Sequence, residues 1–358
     1  MRILVIGKRV ISGQDLTRCD FGRYCNLVAE LTRRGHAVQL ILLDNAPASM
    51  GPPNPNSPHP CFGWKRLYAT PSQFVRRWKP EILVAGGHLH LGVLGCVLSW
   101  RFGIPWVYDV YDFYPVFLRA FHPLGDPFFR LLLTRAHGIS AASPAIANYA
   151  GKLNDRVSVI RNATHADEFR KMARVKAREA LGLEVGETIL GFTGRVADHV
   201  MAKECLDSLQ SLGRELKMSL HMAQIGPPPA DPLVRARIRA LGNRPVPEVA
   251  SFINACDIVA VPYLNCACVK YSNACKLSEC CACEAVVVAS RNGDALSYFS
   301  DEYPGLFDPS DPEGLLRALR RQLLRPVPAK RSLLCFWETS ADGMEALLTE
   351  TRDAYRHS

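Results

Sequence analysis

Two segments in the second half of the chain carry side chains whose types and spacing could do chemistry. In GFTGRVADHVMAKECLDSL, Arg195 comes just after an apolar run and Lys203 near the start of a helical pattern. Two cations at a strand's carboxyl end, beside a helix N-terminus, suit a diphosphate, because charge, hydrogen bonds and the helix dipole act together. The plainer reading is a pair of loop cations. In YSNACKLSECCACEAVVVAS, Ser272 or Asn273 is placed to cap a helix whose first turn offers free N–H groups to phosphate. Lys276 and Glu279, three apart, share one helical face. An ammonium there would neutralise phosphate while the carboxylate accepts hydrogen bonds from the two hydroxyls of a ribose; the plainer reading is a surface ion pair. Cys280 and Cys283 form a lone CxxC with no second pair to complete a zinc site. Core packing is the better reading, and no metal is expected.

These residues need elements to position them. Short apolar runs alternate with helical patterns along the chain, the signature of βαβ units and parallel sheets. The pattern predicts strands at 3–6, 37–43, 82–85, 106–110, 138–141 and 157–160. Helices fall near 21–34, 72–78, 91–101 and 117–136, with Gly35 ending the first and a Pro/Asn-rich loop at 46–60. A polar connection from 161 to about 174 precedes a second series. Its strands lie at 188–192, 219–225, 258–261 and 286–289, its helices at 203–212, 247–255 and 275–283. The halves read as two doubly wound α/β domains, for which a cleft facing the carboxyl ends of the strands is the default ligand site. The first strand leads into GKRVISGQD, without G-x-G-x-x-G, and no GxxxxGK[ST] occurs anywhere. The common dinucleotide and P-loop solutions drop out.

Composition bounds the rest. With 358 residues, 48% hydrophobic and 22% charged, the chain fills large cores, and its length suggests two or three domains. Gly and Pro, 25 each, exclude collagen-like and low-complexity architectures. No apolar run approaches the roughly 18 residues of a membrane span. The start, MRILVIG, lacks the parts of a signal peptide and reads as a buried strand. Thirteen cysteines, an odd number, fit reduced thiols and a cytoplasmic setting, which makes the sequon at Asn162 a chance match. The net charge of +9 favours an acidic partner: a sugar nucleotide, a phosphorylated acceptor or an anionic membrane surface. The excess is scattered in pairs such as Arg33/Arg34 and Arg76/Arg77, without a zinc finger or RNP motif, so nucleic acid is not an expected partner.

At this point the chain resembles the family-four glycosyltransferases, whose two Rossmann-like, doubly wound parallel-sheet domains form the GT-B fold. The family's GR…K phosphate motif is similar to Gly194-Arg195 and Lys203, and its SNPxKLFEYLACGxPVVAS segment to residues 272–290. Its NGVDxxxF hinge resembles 162–169, its "adivvvPy" strand 255–263, and its closing aromatic-Trp-Glu segment Phe336-Trp337-Glu338. The order and spacing of these matches cover nearly the whole chain. The resemblance implies an N-terminal acceptor domain over 1–165, a C-terminal nucleotide-sugar domain over 166–334, and a last helix, 335–358, that crosses back. Arg195 and Lys203 would bind the donor diphosphate and Glu279 the ribose, with Ser272, Asn273 and Lys276 beside phosphate and sugar. The base would pack near Gly226 and Arg244–Val246, where recognition is largely by backbone. Family members retain anomeric configuration and usually need no metal or other cofactor, so cations would stabilise the leaving diphosphate.

In the N-terminal domain, His88 and His90 of GGHLHLG follow a strand where the family often has H-x-H. Either would position an acceptor hydroxyl, or else be a structural histidine. Asp109 and Asp112 of VYDVYDFYP follow another strand end; Asp112 is the leading candidate to contact the reacting sugar or acceptor, against a cap or turn role. The loop from Gly7 to Gly22, with Gly13, is expected to close over the donor phosphates, and Lys8 and Arg9 to be donor-facing or simply exposed. Relatives often carry histidine where Tyr111 stands. Many have a first Glu where this chain has Tyr271, and Gly-x-Pro where it has Glu284-Ala285-Val286, which removes the favoured helix stop.

The sequence therefore predicts transfer of a sugar from a nucleotide diphosphate sugar to a hydroxyl or amine of an unidentified acceptor: a polysaccharide, a lipid-linked sugar or a secondary metabolite. A sugar-nucleotide 2-epimerase and a non-catalytic nucleotide-sugar-binding subunit are the alternatives. The stretch FYPVFLRAFHPLGDPFFRLLLTRAH raises peripheral membrane contact, although a helix packing its apolar face on the sheet is the favoured reading.

Overall fold

A computed structural model describes residues 1–11, 13–118 and 125–357 of the chain. The chain forms two compact units. The first comprises Met1–Asn162, Tyr271–Asn273 and Trp337–Ser358, the second Ala163–Lys270 and Ala274–Phe336.

The sheet of the first unit contains β1 (Arg2–Lys8), β2 (Ala37–Leu43), β3 (Cys61–Phe62), β4 (Ile82–Gly86), β5 (Trp106–Val110), β6 (Gly138–Ala141) and β7 (Val157–Val159), in the order β3-β2-β1-β4-β5-β6-β7. Every pair is parallel; Val5, for example, lies between Leu40 and Val84. Strands covered on both faces need apolar residues at consecutive positions, and Ile3, Leu4, Val5 and Ile6 are all buried. The order of strands reverses between β1 and β4. At such a switch point the loops diverge and leave a crevice at the carboxyl ends, here at Lys8 and at Gly87-His88.

The second unit repeats the plan with β8 (Thr188–Thr193), β9 (Leu220–Ile225), β10 (Ile238–Ala240), β11 (Ile258–Val261), β12 (Val287–Ser290) and β13 (Leu306–Phe307), in the order β10-β9-β8-β11-β12-β13, again all parallel. Its switch point lies between β8 and β11, at Gly194-Arg195 and Tyr263. Cys280, Cys281 and Cys283 are buried in this unit's core, as the packing reading expected. All thirteen cysteines are free thiols.

The last helix, Trp337–Arg356, belongs to the first unit. It packs so closely on β6 that a Cβ on Gly138 would collide with Thr351 Oγ1. Arg34 fixes its outer face through Asp342 and Glu345. No helix among the described residues is long and apolar enough to cross a membrane.

Several elements differ from the sequence pattern. The stretch expected as one helix over 117–136 holds the helices Tyr114–Leu118 and Gly125–Arg135, with 119–124, including Arg119, outside the described residues. The helix Gly125–Arg135 buries Phe129, Leu132 and Leu133, while Phe128 and Leu131 face outward. Strands β10 and β13 were not anticipated: β10 buries only Ile238, so it leaves no apolar run to read.

Candidate functional site

In the second unit, β8 ends at Thr193 and the chain turns through Gly194, whose φ of +83° carries it into the left-handed region. Gly194 N–H donates to Ile225 O, and Gln224 Nε2 donates to Gly194 O, so the turn is held from both sides. Gly226, at φ +136°, approaches so closely that a Cβ there would lie 2.7 Å from Gly194 O. A Cβ on Gly194 would instead meet Lys276 Cε at 3.1 Å. Gly226 thus lets the two backbones close up, and Gly194 leaves room for an ammonium against bare backbone. Lys276 Nζ occupies that place, donating to Tyr263 Oη at 3.0 Å and sitting 4.4 Å from the centre of the Phe192 ring. Burial and the Lys276 charge lower the pKa of His199, which lies 5.4 Å from Tyr263 ring to ring.

Glu279 lies one turn further along the helix Cys275–Ala282. It is partly buried and makes no hydrogen bond or ion pair among the described residues. Burial pushes its carboxyl up to about 7, against the pull of Lys276. A carboxylate held half out of water without a partner is under-satisfied, and a ligand hydroxyl would relieve it. Arg195 and Lys203 are exposed and also lack a partner among the described residues. Arg244 is committed locally, to Leu241 O and Glu248, and Val246 opens the helix Val246–Ala255 against the core.

The N-cap position of the helix Cys275–Ala282 falls on Ala274, and the preceding Asn273 Oδ1 accepts from Asn162 N–H at 2.7 Å. Residues 271–273 belong to the first unit, where Tyr271 stacks on Phe113 at 3.8 Å and its carbonyl accepts from Ser143 Oγ. The tyrosine in place of the first Glu is therefore a packing residue. The missing Gly-x-Pro stop is replaced by Glu284 itself in the left-handed region, φ +51°, with the N–H groups of Glu284 and Ala285 closing on Cys281 and Cys280.

The first unit collects a second set at its switch point. His88 and His90 stack face to face at 4.4 Å, Trp64 meets His90 edge-on at 4.8 Å, and His88 Nδ1 is buried without a partner. Burial lowers His88 to about 4, helped by Lys8 and His90, and lowers His90 as well. Both rings are neutral at pH 7, each with a nitrogen able to accept. Burial raises Asp112 to about 6, moderated by the Lys8 ammonium, whose own pKa burial depresses. Gly87, φ +91°, leaves space that Tyr24 Oη and Tyr111 Oη close from below.

Asp109 differs from the expectation for it. It is buried, chelated by Arg23 Nε and Nη2 at 2.8–3.1 Å and bonded by Ser140 Oγ, so its charge is committed inside the unit. Arg23, which no sequence motif singles out, also donates to Ile160 O and Ser140 Oγ, tying the carboxyl ends of β5, β6 and β7 together. Arg9 likewise is buried rather than exposed: it bridges Asp15, Asp44 and Gly51 O and fastens the loop after β1. Gly13, exposed at φ +81°, lies beyond that fastening in the two-stranded ribbon Val10–Ile11/Gln14–Asp15. Asp20, Cys25 and His59 place one ligand atom each within 4.8 Å of the others, apart from the groups above.

Residues 22–163 match the family described as Glycosyl transferase 4-like domain, and residues 187–325 match Glycosyl transferases group 1. The chain is a family-four-like glycosyltransferase of the GT-B fold. Among solved structures, this glycosyltransferase is similar to HepE from Anabaena, crystallised with UDP-glucose, at 16% identity and a TM-score of 0.66, with all of both chains covered. A trehalose 6-phosphate synthase from Burkholderia multivorans matches at 13% identity and TM-score 0.64, covering 99% of this chain and 97% of that one. A UDP-GlcNAc 2-epimerase from Neisseria meningitidis matches at 10% and 0.60, covering 98% and 100%. At these identities the neighbours speak for fold alone. No curated protein matches.

Proposed function

We propose that this glycosyltransferase takes its sugar from a nucleoside diphosphate sugar held by the second unit and passes it, with retention, to a hydroxyl or amine held by the first. The observation that carries the donor assignment is the pairing of Lys276, seated against the Gly194–Gly226 backbone, with the unpartnered Glu279 carboxyl one turn away. The ammonium meets the diphosphate, and the carboxylate accepts from the ribose hydroxyls. Arg195 and Lys203, free of internal partners, neutralise the charge that develops on the leaving diphosphate. The first turn of the helix that carries Lys276 and Glu279 adds its dipole to the same positive field.

In the first unit, Asp112 and the neutral His88 and His90 are the groups able to accept a hydrogen bond from an acceptor hydroxyl. The bond from the anomeric carbon to phosphate breaks and the bond to the acceptor oxygen forms on the same face of the sugar, as retention requires, while the acceptor's proton leaves toward Asp112. The relevant test is donor binding by variants. Lys276→Ala and Lys203→Ala should each weaken nucleotide-sugar binding about 10- to 100-fold, the worth of one charge-assisted contact, with unchanged circular dichroism. Wild-type affinity in both variants would overturn the donor assignment.

A further inference from the structure

The helix Leu89–Phe102 is apolar on its outer side as well as its inner one. Leu91, Leu94 and Leu98 are buried in the core, yet Val93, Val97 and Trp100, spaced four and three apart on the opposite face, are 41%, 38% and 83% exposed. A surface helix ordinarily turns polar residues outward, and one apolar all round has a second thing to cover. Its outer side forms part of a groove of about 580 Å³ whose walls include Leu67, Tyr68, Val93, Val97 and Phe128, with His90 among them. That volume is in the range that holds small-molecule ligands. Trp64, edge-on to His90, and Leu131, on the helix that carries Phe128, are about half exposed too.

One end of the groove is fixed by the site already described. His90 stacks on His88, and Trp64, edge-on to His90, opens the turn Trp64–Arg66. Lys65 and Arg66 in that turn are exposed and have no ion-pair partner among the described residues. From His90 the helix carries the apolar face about 15 Å to Trp100, at 1.5 Å per residue. At that far end Arg76 and Arg101 flank Phe102 at 5.8 and 5.5 Å. Imidazoles that face a reacting hydroxyl, unpaired cations beside them and an apolar trough leading away describe one kind of molecule.

We propose that the groove holds the hydrocarbon chain of an anionic amphiphilic acceptor, with its phosphate beside Lys65 and Arg66 and its acceptor hydroxyl at His88 and His90. The inference rests on the transferase reading of that half-site and narrows its acceptor to an apolar-chain phosphate. Charge selects the head: the cations on this face lack carboxylate partners, so an anion is the complementary occupant. The trough selects the chain, since each methylene taken out of water strengthens binding about fourfold.

The experiment is a chain-length series of alkyl phosphates, from inorganic phosphate through butyl and hexyl to decyl, titrated below their micelle concentrations against the full chain. Affinity should climb steeply with length, about tenfold or more for each two methylenes, with one site per chain. Val97→Asp, and independently the milder Val93→Asn, should flatten that climb while the thermal shift given by a nucleotide sugar stays at the wild-type value. A flat series, or a climb untouched by both substitutions, overturns the proposal. So does a wild-type dimer that Val97→Asp dissociates, which would make a second copy the occupant. Binding to anionic vesicles with none to monomeric decyl phosphate would make it a bilayer surface and overturn it equally. Because the nucleotide-sugar shift is read separately, its absence in the wild type would count against the transferase site, and the chain-length series would still decide the groove.

Discussion

Asp112 and Glu279 are the two carboxyls whose surroundings set when they can act. Both are raised by burial, each with a lysine pulling the other way. For a base, only the ionised form works, so a raised pKa moves the active range upward. The rate with acceptor should therefore rise as pH passes upward through about 6, the value set at Asp112. Asp112→Asn should lower the rate about 10²- to 10⁴-fold, the usual worth of a positioned general base, and remove that limb of the pH–rate profile. An unchanged limb in the variant would move the role to another group. The sequence made Asp112, Lys276 and Glu279 visible because their neighbours form recognisable strings. It ranked Asp112 ahead but kept Asp109 as a candidate, because what removes Asp109 is Arg23, 86 positions away in the chain and buried against it. A long-range ion pair leaves no local pattern.

At the scale of elements, strands and helices with an apolar run or a clear period were legible, and the rest were not. Strands β4, β5 and β11 are buried along their length and β1 over Ile3–Gly7, and all four fell where the alternation put them. The two-residue β13 went unread for want of length, and the helix Gly314–Leu324 was missed although Leu315, Ala318, Leu319 and Gln322 form a buried face at helical spacing. The end of the helix Cys275–Ala282 shows a rule broken and repaired. Lacking the glycine, the chain forces Glu284 to a φ of +51°, a conformation that costs a side chain roughly 1 kcal/mol. Glu284→Gly should therefore stabilise the protein by about 0.5–1 kcal/mol, seen as a higher urea midpoint at constant slope. The lost Lys171–Glu284 pair is exposed and should subtract little. A lower midpoint would mean that this turn carries no strain.

For the whole molecule, each unit draws its functional groups to one place, the carboxyl edge of its sheet where strand order reverses. That placement followed from the βαβ alternation alone, whereas the acceptor groove did not, because the outward side of the helix Leu89–Phe102 looks in sequence like any buried helix. The fastening of the first unit's edge depends on Arg23, buried together with Asp109. Removing one member of a buried pair leaves the other uncompensated, so Arg23→Ala should cost about 3–5 kcal/mol of stability. Arg23→Ala/Asp109→Ala together should cost less than the sum of the single changes, by the coupling expected of groups in contact. Additive losses in denaturant unfolding would show that the two act independently.

The central claim is that Lys276 and Glu279 mark a nucleotide-sugar site, and thermal stability against a panel of UDP-, GDP-, ADP-, CMP- and TDP-sugars tests it most directly. At a hundred times its dissociation constant, the true donor should add about 2.7 kcal/mol to the native state. The effect should strengthen as pH rises through about 7, where Glu279 becomes an acceptor of hydrogen bonds, and should be lost in Glu279→Ala. Stabilisation by one donor class with that pH dependence is the predicted result; no stabilisation by any member, or equal stabilisation of the Glu279→Ala variant, would contradict the account.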